Sequence, residues 1–274
     1  IKILKKRFNT KVINLKNGDF AIEELKKKID ENTKLVSICH ISSQCGDVMN
    51  VEKLGSFLKN KNIFFLVDAC QSIGQVEINV KNIFCDALVC SGRKYLRGPR
   101  GTGFIYIRSE IQNKLNLSIL DMKKCKVEQN KLKIFEEKNI FEVFEYSPAL
   151  KIGFSNSISE INKIGIKKIE KKIIKFSRYF RSKLENFPEV IFYENKNKLS
   201  GLNTFNIKGL KPKNISKHLF KKKILCSISN FQTSTLHFKN KKQKEVLRIS
   251  FHYYNKFSEI DYLVECLIDL IKNK

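Results

Sequence analysis

A chain of 274 residues with 42% hydrophobic residues can bury one large core or two modest ones, which excludes global disorder. No run approaches the roughly 20 apolar residues that cross a bilayer. The net charge of +26 comes from 45 lysines against 8 arginines spread along the whole chain, so it is read as solvated lysine faces; a nucleic-acid surface would interleave basic and aromatic residues on one face.

The eight cysteines, at 39, 45, 70, 85, 90, 125, 226 and 266, form no Cys-x-x-Cys and lie mostly in apolar runs. Reduced, buried thiols in a cytoplasmic protein are expected, with no disulfide framework. His40, His218, His237 and His252 show no ligand spacing, so no metal site is expected. Residues 1–7 contain no long apolar stretch of the kind a secretory signal needs.

The first half alternates short apolar runs with amphipathic segments. Residues 35–41 read as a buried strand, and 51–60 as a helix with Leu54, Phe57 and Leu58 on one face. Further strands are expected at 63–67, ending at Asp68, at 87–90 and at 103–107. This order predicts an α/β fold with a mainly parallel sheet and helical crossovers. In the second half Ser147-Pro148 opens a long helical stretch that runs to about residue 187 and breaks near Gly165. Strands follow at 190–193 and 202–207, then a helix from about 214, strands near 224–228 and 246–251, and a last helix over 258–271. The expected division is a large domain over 1–146 and a smaller C-terminal α+β domain over 147–274.

Three features of the first half carry chemistry. Asp68 follows directly on an apolar strand, and the carboxyl ends of parallel strands are where open α/β sheets bind ligands. A helix-capping or turn aspartate has the same local signature. Gln71 stands three residues on. Residues 91–103, with glycines at 92, 98, 101 and 103 and Arg93, Lys94, Arg97 and Arg100 among them, join two strands by tight turns. The run is not a P-loop, because no Gly-Lys-Ser/Thr follows a Gly-x4 spacer. Like charges around Lys94 disfavour its protonated form, which suits an imine-forming amine; a basic surface hairpin is the alternative.

Val67-Asp68-Ala69-Cys70-Gln71-Ser72, then Ser91-Gly92-Arg93-Lys94, then Gly98-Pro99-Arg100-Gly101-Thr102-Gly103 resemble aminotransferase class V, the fold-type I pyridoxal-phosphate (PLP) enzymes that include cysteine desulfurases, isopenicillin N epimerase-like and hercynylcysteine sulfoxide lyase-like proteins. The run from Arg248 to Asn255 with Glu259-Ile260-Asp261 resembles that group's C-terminal signature, and the likeness covers nearly the whole chain. It implies that Lys94 forms the Schiff base with PLP, that Asp68 pairs with the pyridine nitrogen, and that Gln71 bonds the phenolic oxygen. It further implies that Ser91 and Arg93 contact the phosphate and that Arg248 clamps the substrate α-carboxylate. His40, at a strand end beside the same crevice, is either a cofactor neighbour or a buried structural histidine. A homodimer is implied, with the segment 141–146 near the partner's site.

Two departures follow. The family's N-terminal third is missing from these residues, which is expected to weaken cofactor binding. No cysteine lies between Gln232 and Arg248, where a desulfurase carries its sulfur acceptor, and Cys226 falls in an apparent strand. The reading is therefore an enzyme acting on an amino acid by lyase, aminotransferase or epimerase chemistry. A cysteine desulfurase is the alternative, and a basic nucleic-acid-binding protein or an inactive homologue are the non-enzyme readings.

Overall fold

The structure is a computed structural model that describes residues 7–13, 22–112, 114–115, 121–122, 124–135, 141–238 and 243–273. After helix α1 (Ile22–Lys28), a four-stranded sheet runs in the order β1 (Leu35–Cys39), β2 (Phe64–Asp68), β3 (Ala87–Ser91), β4 (Gly103–Ile107). The first three strands are parallel, and β4 returns antiparallel along β3. In β2 alternate residues are buried, with Phe65 and Val67 facing the helices as the two-residue period of a strand requires.

Helix α2 (Val51–Leu58) connects β1 to β2, and the short α3 (Val80–Ile83) connects β2 to β3. Asn50 caps α2 by accepting a 3.0 Å bond from Lys53 N, and Val51, Leu54 and Leu58 turn into the core. Asp86 ties two strands: its Oδ2 accepts a 2.7 Å bond from Phe65 N and its Oδ1 accepts from Arg108.

Beyond β4 come α4 (Ser109–Gln112) and a hairpin of β5 (Cys125–Glu128) and β6 (Lys131–Ile134). It turns on Gln129 and Asn130, both with positive φ, the backbone that a tight hairpin twist demands. Nothing in the sequence reading anticipated this hairpin, because its exposed strands bury no face that would set a period. Ser147 and Pro148 start α5 (Pro148–Ile164), with the serine hydroxyl accepting from Leu150 N. Gly165, at φ 89°, separates it from α6 (Ile166–Leu184).

The second sheet is antiparallel, ordered β7 (Val190–Phe192), β8 (Leu202–Ile207), β10 (Glu245–Ser250), β9 (Ser227–Asn230). Helices α6, α7 (Pro212–Lys221) and α9 (Phe257–Lys272) pack over it, and α8 (Thr235–Phe238) lies in the connection from β9 to β10. Phe180 is fully enclosed by Phe192, Phe205 and Phe251, with ring centroids 5.5 to 5.6 Å apart and edge-on. Truncation of such a ring typically costs about 3–5 kcal/mol.

Two expectations need correcting. Only Cys85, Cys90 and Cys266 of the eight cysteines are buried; Cys39 is exposed and the rest are half-buried, though none is in a disulfide. Cys39 and Cys70 sit where apolar strands end and the chain enters turns, which leaves these residues less covered than the strand interior. The strand expected near 224–228 begins only at Ser227, after a left-handed turn at Lys223, so Cys226 precedes it and Leu225 is 81% exposed.

Candidate active site

The parallel register sets Cys39 beside Asp68 and Asp68 beside Val89, so the carboxyl ends of β1, β2 and β3 converge. The carboxylate of Asp68 accepts a 2.9 Å bond from Cys70 N on Oδ1 and lies 3.6 Å from the Cys39 thiol on Oδ2. Burial and the Asp68 charge push the Cys39 thiol up to about 11, so it stays protonated and donates to the carboxylate. Burial raises the Cys70 thiol as well, and the Ser91 side chain bonds to it.

Lys94 stands in the turn that leaves β3. The turn is closed by Gly92 N to Thr102 O and Gly98 N to Gly92 O, both 2.8 Å, and by Arg97 N to Lys94 O, 2.9 Å. The Phe154 ring of α5 lies so close to Gly92 and Gly98 that a Cβ at either would meet it within 2.7 Å. The glycines are therefore required by packing. Burial lowers the affinity of Lys94 for its proton, and the charges of Arg93, Arg248 and Arg100 lower it further. Arg93 itself is exposed.

The second sheet closes the site from the other side. Arg248, on β10, donates from Nη1 to the carbonyl of Ser43 in the turn after β1. Its Nε is buried without a partner among the described residues. His252, two residues past β10, stacks on Tyr95 at 5.1 Å, with Nε2 3.2 Å from the Tyr95 carbonyl. The guanidinium of Arg97 lies over the Tyr253 and Tyr254 rings at 5.6 and 5.2 Å. These contacts bind the Lys94 turn to the C-terminal segment.

Asp68, Ser91, Lys94 and Arg248 thus meet in one region. Gln71 is buried in the turn after β2, and its carbonyl accepts from Gln75. His40 joins through its backbone, with N donating to Asp68 O at 2.9 Å. The residue is buried, its Nδ1 has no partner among the described residues, and it borders a cavity of about 170 Å³ together with Met49, Asn50, Glu52, Glu77 and Asn79. Burial lowers the His40 pKa to about 4. Sequence reasoning missed Cys39 as a neighbour of Asp68 and Ser43 as the seat of Arg248, since only strand register and a contact across 205 residues bring them in.

The donor set fits pyridoxal phosphate. It offers an amine of depressed basicity, a carboxylate whose Oδ2 faces the Cys39 thiol, and a buried guanidinium Nε with no partner among the described residues. The chain is similar over 88% of its length to a probable cysteine desulfurase of Methanothermobacter thermautotrophicus, 31% identical across 251 residues and covering 62% of that protein. A probable cysteine desulfurase of Pyrococcus abyssi is 32% identical across 259 residues, 93% of this chain and 64% of the relative. The chain therefore spans somewhat over three-fifths of the length of these relatives. A solved apo cysteine desulfurase from Thermococcus onnurineus superposes with a TM-score of 0.92 at 28% identity, covering 100% of this chain and 69% of that one. The fold is that of the fold-type I PLP enzymes. The family model described as aminotransferase class-V matches residues 2–263, and the chain belongs to that family, whose members use pyridoxal phosphate.

Proposed function

We propose that the complete protein is a PLP-dependent enzyme that cleaves the C–S bond of cysteine, as a cysteine desulfurase does. The observation that carries this is the half-buried amine of Lys94, set among the carboxyl ends of three parallel strands, with Arg248 close enough for its charge to depress the amine. The similarity to probable cysteine desulfurases supports cysteine as the substrate.

When bound, PLP supplies an electron sink that weakens the bonds at the α-carbon of an amino acid. Lys94 would anchor it covalently and then carry a proton to and from that carbon, a task suited to an amine of lowered basicity. Asp68, its orientation set by Cys70 N and Cys39, would hold the ring nitrogen in its protonated form. Gln71 would face the phenolic oxygen, and Ser91 and Arg93 the phosphate. His40 would act behind the cofactor through the bond its backbone makes to Asp68. Arg248, with Nη1 held by Ser43 and Nε unpartnered among the described residues, would receive the substrate carboxylate.

A second reading rests on one observation: residues 232–247 contain no cysteine. Sulfur would then leave as free sulfide by elimination, without passing to a protein thiol. Supplying L-cysteine separates the two. Alanine with an equal amount of protein persulfide supports the desulfurase, pyruvate with free sulfide and ammonia supports elimination, and no sulfur release overturns both.

The exposed apolar side chains of Val143, Phe144 and Tyr146 support a homodimer with this segment against the partner, which sedimentation of the complete protein tests. Eight unpaired cysteines support a reducing, cytoplasmic location. No helix among the described residues is long and apolar enough to cross a membrane.

A further inference from the structure

We propose that Glu194 is a positioning residue for the carboxylate-binding arginine: through one buried carboxylate it fixes both the strand paired with that of Arg248 and the turn that receives its guanidinium. This rests on the reading of Arg248 given above.

Glu194 follows β7, and its side chain is fully enclosed. Its Oε1 accepts from Thr204 N at 2.6 Å and from the Thr204 hydroxyl. Thr204 is the register partner of Arg248 across β8 and β10, so these bonds set the height of Arg248 in the sheet. The same oxygen accepts from Gly46 N at 3.3 Å. Gly46 lies three residues after Ser43, whose carbonyl accepts from Arg248 Nη1. One carboxylate therefore bonds to the strand partner of Arg248 and to the turn that contains Ser43.

The turn has further ties to the segment after β7. Ser200 Oγ donates to Gly46 O at 2.6 Å, Asn195 N donates to Asp47 Oδ1 at 2.7 Å, and Val48 N donates to Lys198 O at 2.9 Å. A Cβ at Gly46 would stand 1.9 Å from the Leu202 carbonyl, so the two segments approach as closely as glycine permits. Arg181 closes the hub: it pairs with Glu194 Oε2, donates from Nε to Asn203 Oδ1 at 3.2 Å, and lies 4.3 Å over the Phe192 ring. A buried ion pair is a poor source of stability compared with apolar packing, so its presence between two functional segments suits a geometric task.

The experiment uses the complete, cofactor-loaded protein and follows the initial absorbance change of the bound cofactor on adding L-cysteine or cysteamine, which has the same amine and thiol without the carboxylate. Glu194→Gln keeps the shape of the side chain and is expected to weaken L-cysteine about tenfold or more, while cysteamine binding and the cofactor band before addition stay unchanged. Ser200→Ala, which deletes one tie to Gly46, gives a smaller loss of the same selectivity and serves if Glu194→Gln does not fold. Equal weakening of both ligands, or no change in either, in a variant that folds overturns the positioning role alone. An unaltered protein that responds to neither ligand overturns the reading of the site, and the positioning role with it.

Discussion

Nη1 of Arg248 donates to the carbonyl of Ser43, 205 residues earlier, and so joins the antiparallel sheet to the turn behind the parallel one. Its Nε is buried and has no partner among the described residues. A planar fork can bond Ser43 and a substrate carboxylate at once, whereas an ammonium is a single point charge. Arg248→Lys is therefore expected to raise KM for L-cysteine by about tenfold to a hundredfold, the range of a charged hydrogen bond, with the cofactor absorbance intact. Steady-state kinetics and the absorption spectrum check this; an unchanged KM would restrict Arg248 to the fold.

Acid should unfold the protein through two histidines. Burial lowers the pKa of His40 and of His252 from 6.5 to about 4. The unfolded chain binds more protons than the native one between those values, so stability is full above about 6.5 and falls as pH drops toward about 4. The Tm is expected to decline across that window and to decline less steeply in His252→Phe, which keeps an aromatic ring against Tyr95. An equal slope in the variant would show that His252 is not one of the groups responsible.

Asp86 should matter for stability apart from the site. Its removal in Asp86→Ala leaves the Phe65 N–H buried without an acceptor and releases Arg108. An expected loss of about 2 kcal/mol follows from the cost of an unsatisfied buried donor, and a shift in the urea midpoint measures it.

Much of this was legible in the sequence because it is local. The apolar runs of β2 and β3, the cap at Ser147-Pro148 and the break at Gly165 are set by neighbouring residues. Asp68 stands out in the sequence because it follows directly on such a run, and Lys94 because arginines and glycines crowd the turn around it. Glu194 was not, because a charged residue after a short strand looks like any surface glutamate; its burial comes from Gly46, Arg181 and Thr204, which folding brings together.

Cys226 is expected to be dispensable. Its thiol is half-buried 3.4 Å from the Ser216 hydroxyl, and burial raises its pKa, so little thiolate is available at neutral pH. Cys226→Ser should keep most of the activity, and incubation with L-cysteine should leave no persulfide on this residue by mass spectrometry. A persulfide trapped on Cys226 together with an inactive serine variant would make it the sulfur acceptor.

The most direct test of the account is the attachment point of the cofactor. The complete protein reconstituted with PLP should show a visible absorbance band, and borohydride should fix the cofactor irreversibly to a single lysine. Peptide mapping is expected to find it on Lys94, whose proton affinity is lowered by burial and by Arg93 and Arg248. Lys94→Ala should lose the band, the label and turnover together. A label on any other lysine, or a band that survives Lys94→Ala, would contradict the assignment of this site.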